Sequence, residues 1–362
     1  MQTALHSLHL KAGAQFRDYF GWEVPEHFGS FDLEYRAVKQ AVGVVDLSFR
    51  RKLAASGADR QDFLHRMLTN EINALQPGEG NYCFLLNAQG HILADLNVLV
   101  EPQRILLDTE PFLTGKVLET LDRFIIMDQV ELEDLSPRLG TIGLEGPLSR
   151  EVVRQACGVD PPACRPLAHF SPEGDPDLLA VYAAGTGQGL WIIAPTNRLP
   201  QLWESLVEAA ATLQGRPIGF AALEAARIEA GIPRYGSDIE ERSLPQETGQ
   251  LRAISYTKGC YPGQEVVERV RSRGHVNRRL VGLLALSSEP LRLGAKIQAE
   301  GRDIGHVTSA TRSPSLGKTI ALGYVRREFS EPGSKVAVEG APAEVAPLPF
   351  PPAPAPAPAE TT

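Results

Sequence analysis

Apolar positions alternate along residues 91–100. Ile92, Ala94, Leu96, Val98 and Val100 share one face of a strand; His91, Leu93, Asp95, Asn97 and Leu99 share the other. Together with residues 82–86 this stretch reads as a hairpin around Asn87-Ala88-Gln89-Gly90. Helical spacing appears at 58–68 after a Gly57 turn, at 112–124, at 198–213, and at 220–230, where Gly231 and Pro233 close the element. Beyond residue 279 the pattern changes. Short apolar bursts at 280–286, 295–297, 304–308, 320–325 and 335–338 are punctuated by Gly, Pro and Ser, the pattern of a small barrel or sandwich. The chain therefore divides near Gly274. A mixed α and β region spans 1–274, a β domain spans 275–346, and an Ala/Pro tail, with nothing to bury and expected to be disordered, spans 347–362.

Composition narrows the possibilities. A chain of 362 residues suggests two or three domains with ample core. The net charge of −8 gives no general attraction to nucleic acid or to anionic membranes, and five arginines between Arg269 and Arg279 fit a solvated helix face as well as an anion site. Neither direct nucleic-acid binding nor a membrane partner is expected. No run of about eighteen apolar residues occurs, and residues 1–11 lack a signal-peptide pattern. The cysteines at 83, 157, 164 and 260 form no Cys-x-x-Cys pair, which removes zinc-ribbon and thioredoxin readings, and four in a chain this long fit a reducing compartment; Cys157 and Cys164 flank a Pro-rich turn and could in principle pair, with free thiols the expected state. Phosphate-loop, dinucleotide and His-Glu-x-x-His patterns are absent, and no metal site is expected.

The densest chemistry lies at residues 258–265, Lys-Gly-Cys-Tyr-Pro-Gly-Gln-Glu. Glycines allow a sharp turn, and a helix follows, with Glu265 and Glu268 early, Arg269, Arg271 and Arg273 late, and Gly274 as its stop. Cys260 thus feels positive charge from Lys258 and from helix N–H groups, both favouring the thiolate. Residue types alone leave two readings open, a reactive thiol or a buried inert one. Asp95 and Asn97 sit on a strand face that suits either a cavity wall or a solvent edge. Glu229 lies in the last turn of its helix, where the dipole disfavours negative charge, so it is either a surface glutamate or held there for a ligand.

The sequence Lys258-Gly259-Cys260-Tyr261-x-Gly263-Gln264-Glu265-x-x-x-Arg269 resembles the signature of the YgfZ family, folate-binding proteins related to the T-protein (aminomethyltransferase) of the glycine cleavage system. Residues 43–48 (Gly-Val-Val-Asp-Leu-Ser), 88–95, 226–231 and Tyr235-Gly236-x-Asp238-Ile239 are similar to T-protein segments, and the resemblance runs from about residue 5 to about residue 345. It implies an α+β, T-protein-like fold with intertwined α/β subdomains around a central folate cavity, plus a C-terminal small β-barrel. It leaves no room for a transit peptide, so a cytoplasmic, bacterial-type protein is expected. The implied ligand is tetrahydrofolate. Asp95 and Glu229 would position it, Lys258 would anchor its glutamate tail with Arg269 and Arg271 as alternatives, and Cys260 would be the reactive thiol. Gly259, Tyr261, Gly263, Gln264 and Glu265 would shape the turn. Tyr82, Trp22, Tyr235, Tyr256 and Tyr261 are unranked candidates for walls against the flat rings. The implied role is an accessory factor for assembling or repairing iron–sulfur clusters in target enzymes, tRNA-modifying ones among them, with those enzymes or their assembly factors as partners. The competing reading is an aminomethyltransferase that moves a one-carbon unit to the folate. The family usually carries Asp-Asp where this chain has Ala94-Asp95, and that departure counts against transfer.

Overall fold

The alternation along residues 91–100 becomes the strand Ile92–Val100, paired antiparallel with Gly80–Leu86 as the hairpin reading requires. The computed structural model describes residues 1–162, 165–183, 189–287 and 291–351; Cys164 and residues 352–362 of the tail lie outside them. The chain divides into two units, Met1–Ala226 with Arg234–Val276, and Arg227–Pro233 with the chain from Asn277 onward. The second unit therefore begins two residues beyond the expected boundary and also takes the short segment that follows Ala226.

The first unit holds a five-stranded sheet in the order Gly80–Leu86, Ile92–Val100, Ile105–Thr109, Arg51–Ser56, Glu131–Asp134. Its apolar face rests on the helices Arg60–Met67 and Thr114–Asp122, where Phe63, Leu64, Val117 and Leu121 meet Ile92, Ala94, Leu96, Val98 and Val100 in one buried cluster. Each of the Phe, Leu, Ile and Val side chains among them contributes about 1.5–3 kcal/mol by leaving water. A six-stranded sheet, with Leu139–Glu145 and Gly189–Pro195 at its centre, packs on the helix Leu199–Thr212. That helix starts with Pro200 in its first turn, and its buried residues Leu199, Trp203, Leu206 and Ala210 recur at helical spacing. The sequence reading gave this helix and Phe220–Glu229 to within a few residues. It did not identify Phe31–Gln40, which starts at Ser30, whose hydroxyl accepts from Leu33 N at 3.5 Å.

The second unit is a closed six-stranded barrel. Five of its strands coincide with the five bursts read from the sequence; the sixth, Ala341–Ala346, has a Pro and three Ala in place of a branched run and gave no signal. Residues at the start of the tail are packed within this unit: Leu348 lies against Gly231, Phe350 is buried, and Phe350 N donates to Glu229 O at 2.9 Å. Among the described residues no helix is long and apolar enough to cross a membrane.

Candidate functional site: a charged row on one sheet face

The polar face of the five-stranded sheet carries an unusual load. Register places Tyr82 opposite Asn97, Asn97 opposite Asp108, and Asp108 opposite Lys52, one residue from each of four neighbouring strands. Two residues along, on the same face, come Asp95, Glu110 and Arg50. Lys52, Asp108 and Glu110 are buried, and Arg50 nearly so. Charges are buried like this only when paired.

The pairing is nearly complete. Arg50 grips Asp108 through Nε at 3.0 Å and Nη2 at 2.7 Å, and its Nη1 donates to Glu110 at 2.6 Å. Lys52 donates to Asp108 at 2.8 Å and Asn97 donates to its other oxygen at 2.9 Å. The second Glu110 oxygen accepts from the Tyr19 hydroxyl at 2.8 Å. Burial alone would raise Asp108, but Arg50 and Lys52 outweigh it and hold its carboxyl well below the usual carboxylate range.

Asp95 is the exception. Its Oδ2 accepts from the Tyr82 hydroxyl at 3.0 Å, while Oδ1 is buried without a hydrogen-bond partner. Two cations already face two anions in this cluster, so Asp95 is a third negative charge. Burial, then Glu110, push its carboxyl up to about 6, against the pull of Arg50 and the Tyr82 hydrogen bond. Tyr82 is itself partly buried, with Arg252 over its ring at 5.1 Å. A partly buried acid with one oxygen unclaimed, beside an aromatic ring, is equipped to accept N–H donors from a flat heterocycle.

The other sequence candidates are placed differently. Ala94 is fully buried on the opposite, hydrocarbon face of the same strand. Glu229 belongs to the barrel unit, where the hydroxyls of Ser313 and Ser315 both donate to its Oε1. Its position in the last helical turn is thus explained by a local hydrogen-bond network. Lys258 is buried, and its ammonium donates to the carbonyls of His65 and Leu68, capping the C-terminal end of the helix Arg60–Met67. Burial lowers it to about 8. The amine expected to reach a ligand tail is turned to the protein interior instead.

Cys260 is exposed. The turn that presents it is set by backbone contact. Gly263 has φ +80° and begins the helix Gln264–Arg273, and a Cβ there would meet Asn87 O at 2.4 Å; a Cβ on Gly90 would meet Val266 at 2.9 Å. Tyr261 is buried beneath Lys258, 5.1 Å from ammonium to ring centroid. A Cβ on Gly259 would only touch His65 Nε2 at 3.9 Å, Gln264 is half-buried, and Glu265 and Arg269 face solvent. Arg50, Lys52, Asp108 and Glu110 were not singled out from the sequence. The available signal was single charges inside apolar strand runs, as in Leu106-Leu107-Asp108 and Lys52-Leu53-Ala54.

Residues 5–258 match the GCVT N-terminal domain, and residues 278–351 match the glycine cleavage T-protein C-terminal barrel domain. The chain is 32% identical over 359 residues to an aminomethyltransferase of Thermosynechococcus vestitus, covering 96% of this chain and 94% of that one. It is 29% identical over 344 residues to an aminomethyltransferase of Bacillus subtilis, covering 93% and 94%. The crystal structure of glycine cleavage system aminomethyltransferase T from Bartonella henselae superposes with a TM-score of 0.88 at 26% identity, covering 97% of this chain and 98% of that one.

Proposed function

The chain belongs to the glycine cleavage T-protein family, and from that premise we propose that it binds tetrahydrofolate against Asp95 and transfers a one-carbon unit to it, as an aminomethyltransferase. The observation that carries this reading is the unclaimed, buried Oδ1 of Asp95, in a cluster where every oxygen of Asp108 and Glu110 already accepts a hydrogen bond. A reduced folate supplies ring and bridge nitrogens that can take up a one-carbon unit. The protein's part is positioning: Asp95 accepts an N–H from the ligand, and Tyr82 fixes the carboxylate that does so. Arg50 favours the ionised form of Asp95 and Glu110 opposes it.

Ala94 does not count against transfer. It lies among hydrocarbon on the far face of the strand, so an acid at that position would point away from Asp95 rather than beside it. The test is titration of purified protein with tetrahydrofolate, followed by turnover with the lipoyl-bearing partner of the glycine cleavage reaction. Binding that disappears in Asp95→Ala, together with turnover, supports the proposal; absence of binding in the wild type overturns it.

One observation favours a second reading. Cys260 stands exposed in the turn at residues 258–265, as an accessory factor of the YgfZ kind acting on iron–sulfur enzymes would need. Folate binding without turnover, plus failure of Cys260→Ser to restore iron–sulfur enzyme activity in a deletion strain, would move the assignment there.

A further inference from the structure

A cavity of about 470 Å³ opens in the first unit between the end of the helix Phe31–Gln40 and residues 211–216. It has room for roughly fifteen waters, the size of a short peptide or a small phosphorylated metabolite. Its polar walls are Arg36, Gln40, Gln214 and Arg216; Ala37, Ala41, Ala211 and Gly215 keep it open, and no carboxylate lines it. Arg36 and Gln40 are four apart on the helix and so project from one face.

Among the described residues neither guanidinium makes a hydrogen bond or an ion pair, and Arg216 Nε is buried without an acceptor. That is notable in a chain of net charge −8, where Arg50, Arg104, Arg138, Arg154 and Arg198 each hold a carboxylate. Glu34 feels the charge of Arg216, but both Glu34 oxygens already accept from backbone, from Phe28 N at 2.7 Å and Gly219 N at 2.8 Å. Two helices, Phe31–Gln40 and Leu199–Thr212, also end at this cavity, where positive charge is favourable in itself. A helix-dipole role needs charge alone, and lysine would meet it equally. Two planar forks lining one cavity with two carboxamides make a different demand, the bidentate recognition of an oxyanion.

We propose that this cavity binds a small molecule bearing a carboxylate or phosphate group, held by Arg36 and Arg216 and oriented by Gln40 and Gln214. The site is built on elements separate from the Asp95 cluster, and its test is independent of folate. Full-length protein is titrated calorimetrically at low salt with inorganic pyrophosphate and, separately, with a triglutamate peptide. Wild type is compared with Arg36→Lys, Arg216→Lys and a control, Arg273→Lys. The expected result is binding of one probe, which identifies phosphate or carboxylate as the ligand group. It should weaken at least tenfold in both cavity variants and stay unchanged in the control, with melting temperatures preserved throughout. Failure of both probes to bind the wild type, or equal binding by the lysine variants, overturns the proposal; lowered melting temperature with binding intact assigns the arginines to the helix ends instead.

Discussion

The sequence singled out Asp95 for its strand face and Glu229 for its place at a helix end, and both are carboxylates with little access to water. They differ in how many partners they have. Glu229 takes two serine hydroxyls on one oxygen, within the barrel unit. Asp95 has one phenol on one oxygen, nothing on the other, and two more acids in its field. A satisfied buried charge is architecture, whereas an unsatisfied one is a local conflict that folding tolerates only for another reason. The contrast teaches that burial and helix position do not tell the two carboxylates apart, whereas their hydrogen-bond partners do.

The comparison would break most visibly at Asp108, the most fully satisfied acid of the row. Asp108→Ala leaves Arg50 and Lys52 buried without their counter-charge, and unfolding stability should fall by about 3–5 kcal/mol in urea titrations. Because Asp108 is held below the ordinary carboxylate range, its contribution is present at neutral pH. It is lost only as pH falls through its low folded value. A loss under about 1 kcal/mol would show that the row is not a tightly coupled unit.

Asp95→Asn should have the opposite sign. Its folded-state pKa of about 6 lies above the ordinary 3.8, so folding favours the protonated form. That stabilisation is full below pH 3.8 and lost as pH rises through about 6. At about 1.4 kcal/mol per unit, the wild type carries a penalty of about 3 kcal/mol at pH 8 that Asn lacks. The variant should therefore be the more stable protein at pH 8 and about equal at pH 4, while tetrahydrofolate affinity falls about 10–100-fold for want of the charged acceptor. Destabilisation at pH 8 would make Asp95 a structural residue like Glu229.

Periodicity made much of this molecule legible. The hairpin around residues 87–90, the helices Leu199–Thr212 and Phe220–Glu229, and five barrel strands followed from spacing that each segment carries within itself. Asp95 was singled out because its strand alternates cleanly. Its neighbours were not, because their meeting depends on the register of Ile92–Val100 with Ile105–Thr109 and of that strand with Arg51–Ser56, and register between distant strands is not written in local pattern. The surroundings of Lys258 were hidden for the same reason. Its partners are carbonyls at the end of a helix some 190 residues earlier, and only the tertiary fold brings them to it.

Glu229→Ala sharpens the contrast from the other side. Removing the acceptor leaves Ser313 Oγ and its neighbours to find new partners, at about 1–3 kcal/mol in thermal or urea unfolding. Tetrahydrofolate affinity should stay within twofold of wild type, since no oxygen of Glu229 is presented for a ligand in this reading. A tenfold loss of affinity with unchanged stability would reverse the roles assigned to the two carboxylates.

The smallest effect is expected at Cys260. Its side chain is exposed, and the nearby Gly263 is required by backbone approach rather than by the sulfur. Cys260→Ser should leave stability within about 0.5 kcal/mol. Turnover of a one-carbon donor should hold to within twofold, because the transfer reading asks nothing of a thiol. A thiol-dependent activity makes the reverse demand: blocking Cys260 with an alkylating reagent must abolish it while folate binding at Asp95 persists. Measured on one preparation, the two assays divide the molecule between its two candidate chemistries. Loss of one-carbon transfer on alkylation would place Cys260, not Asp95, at the centre of function.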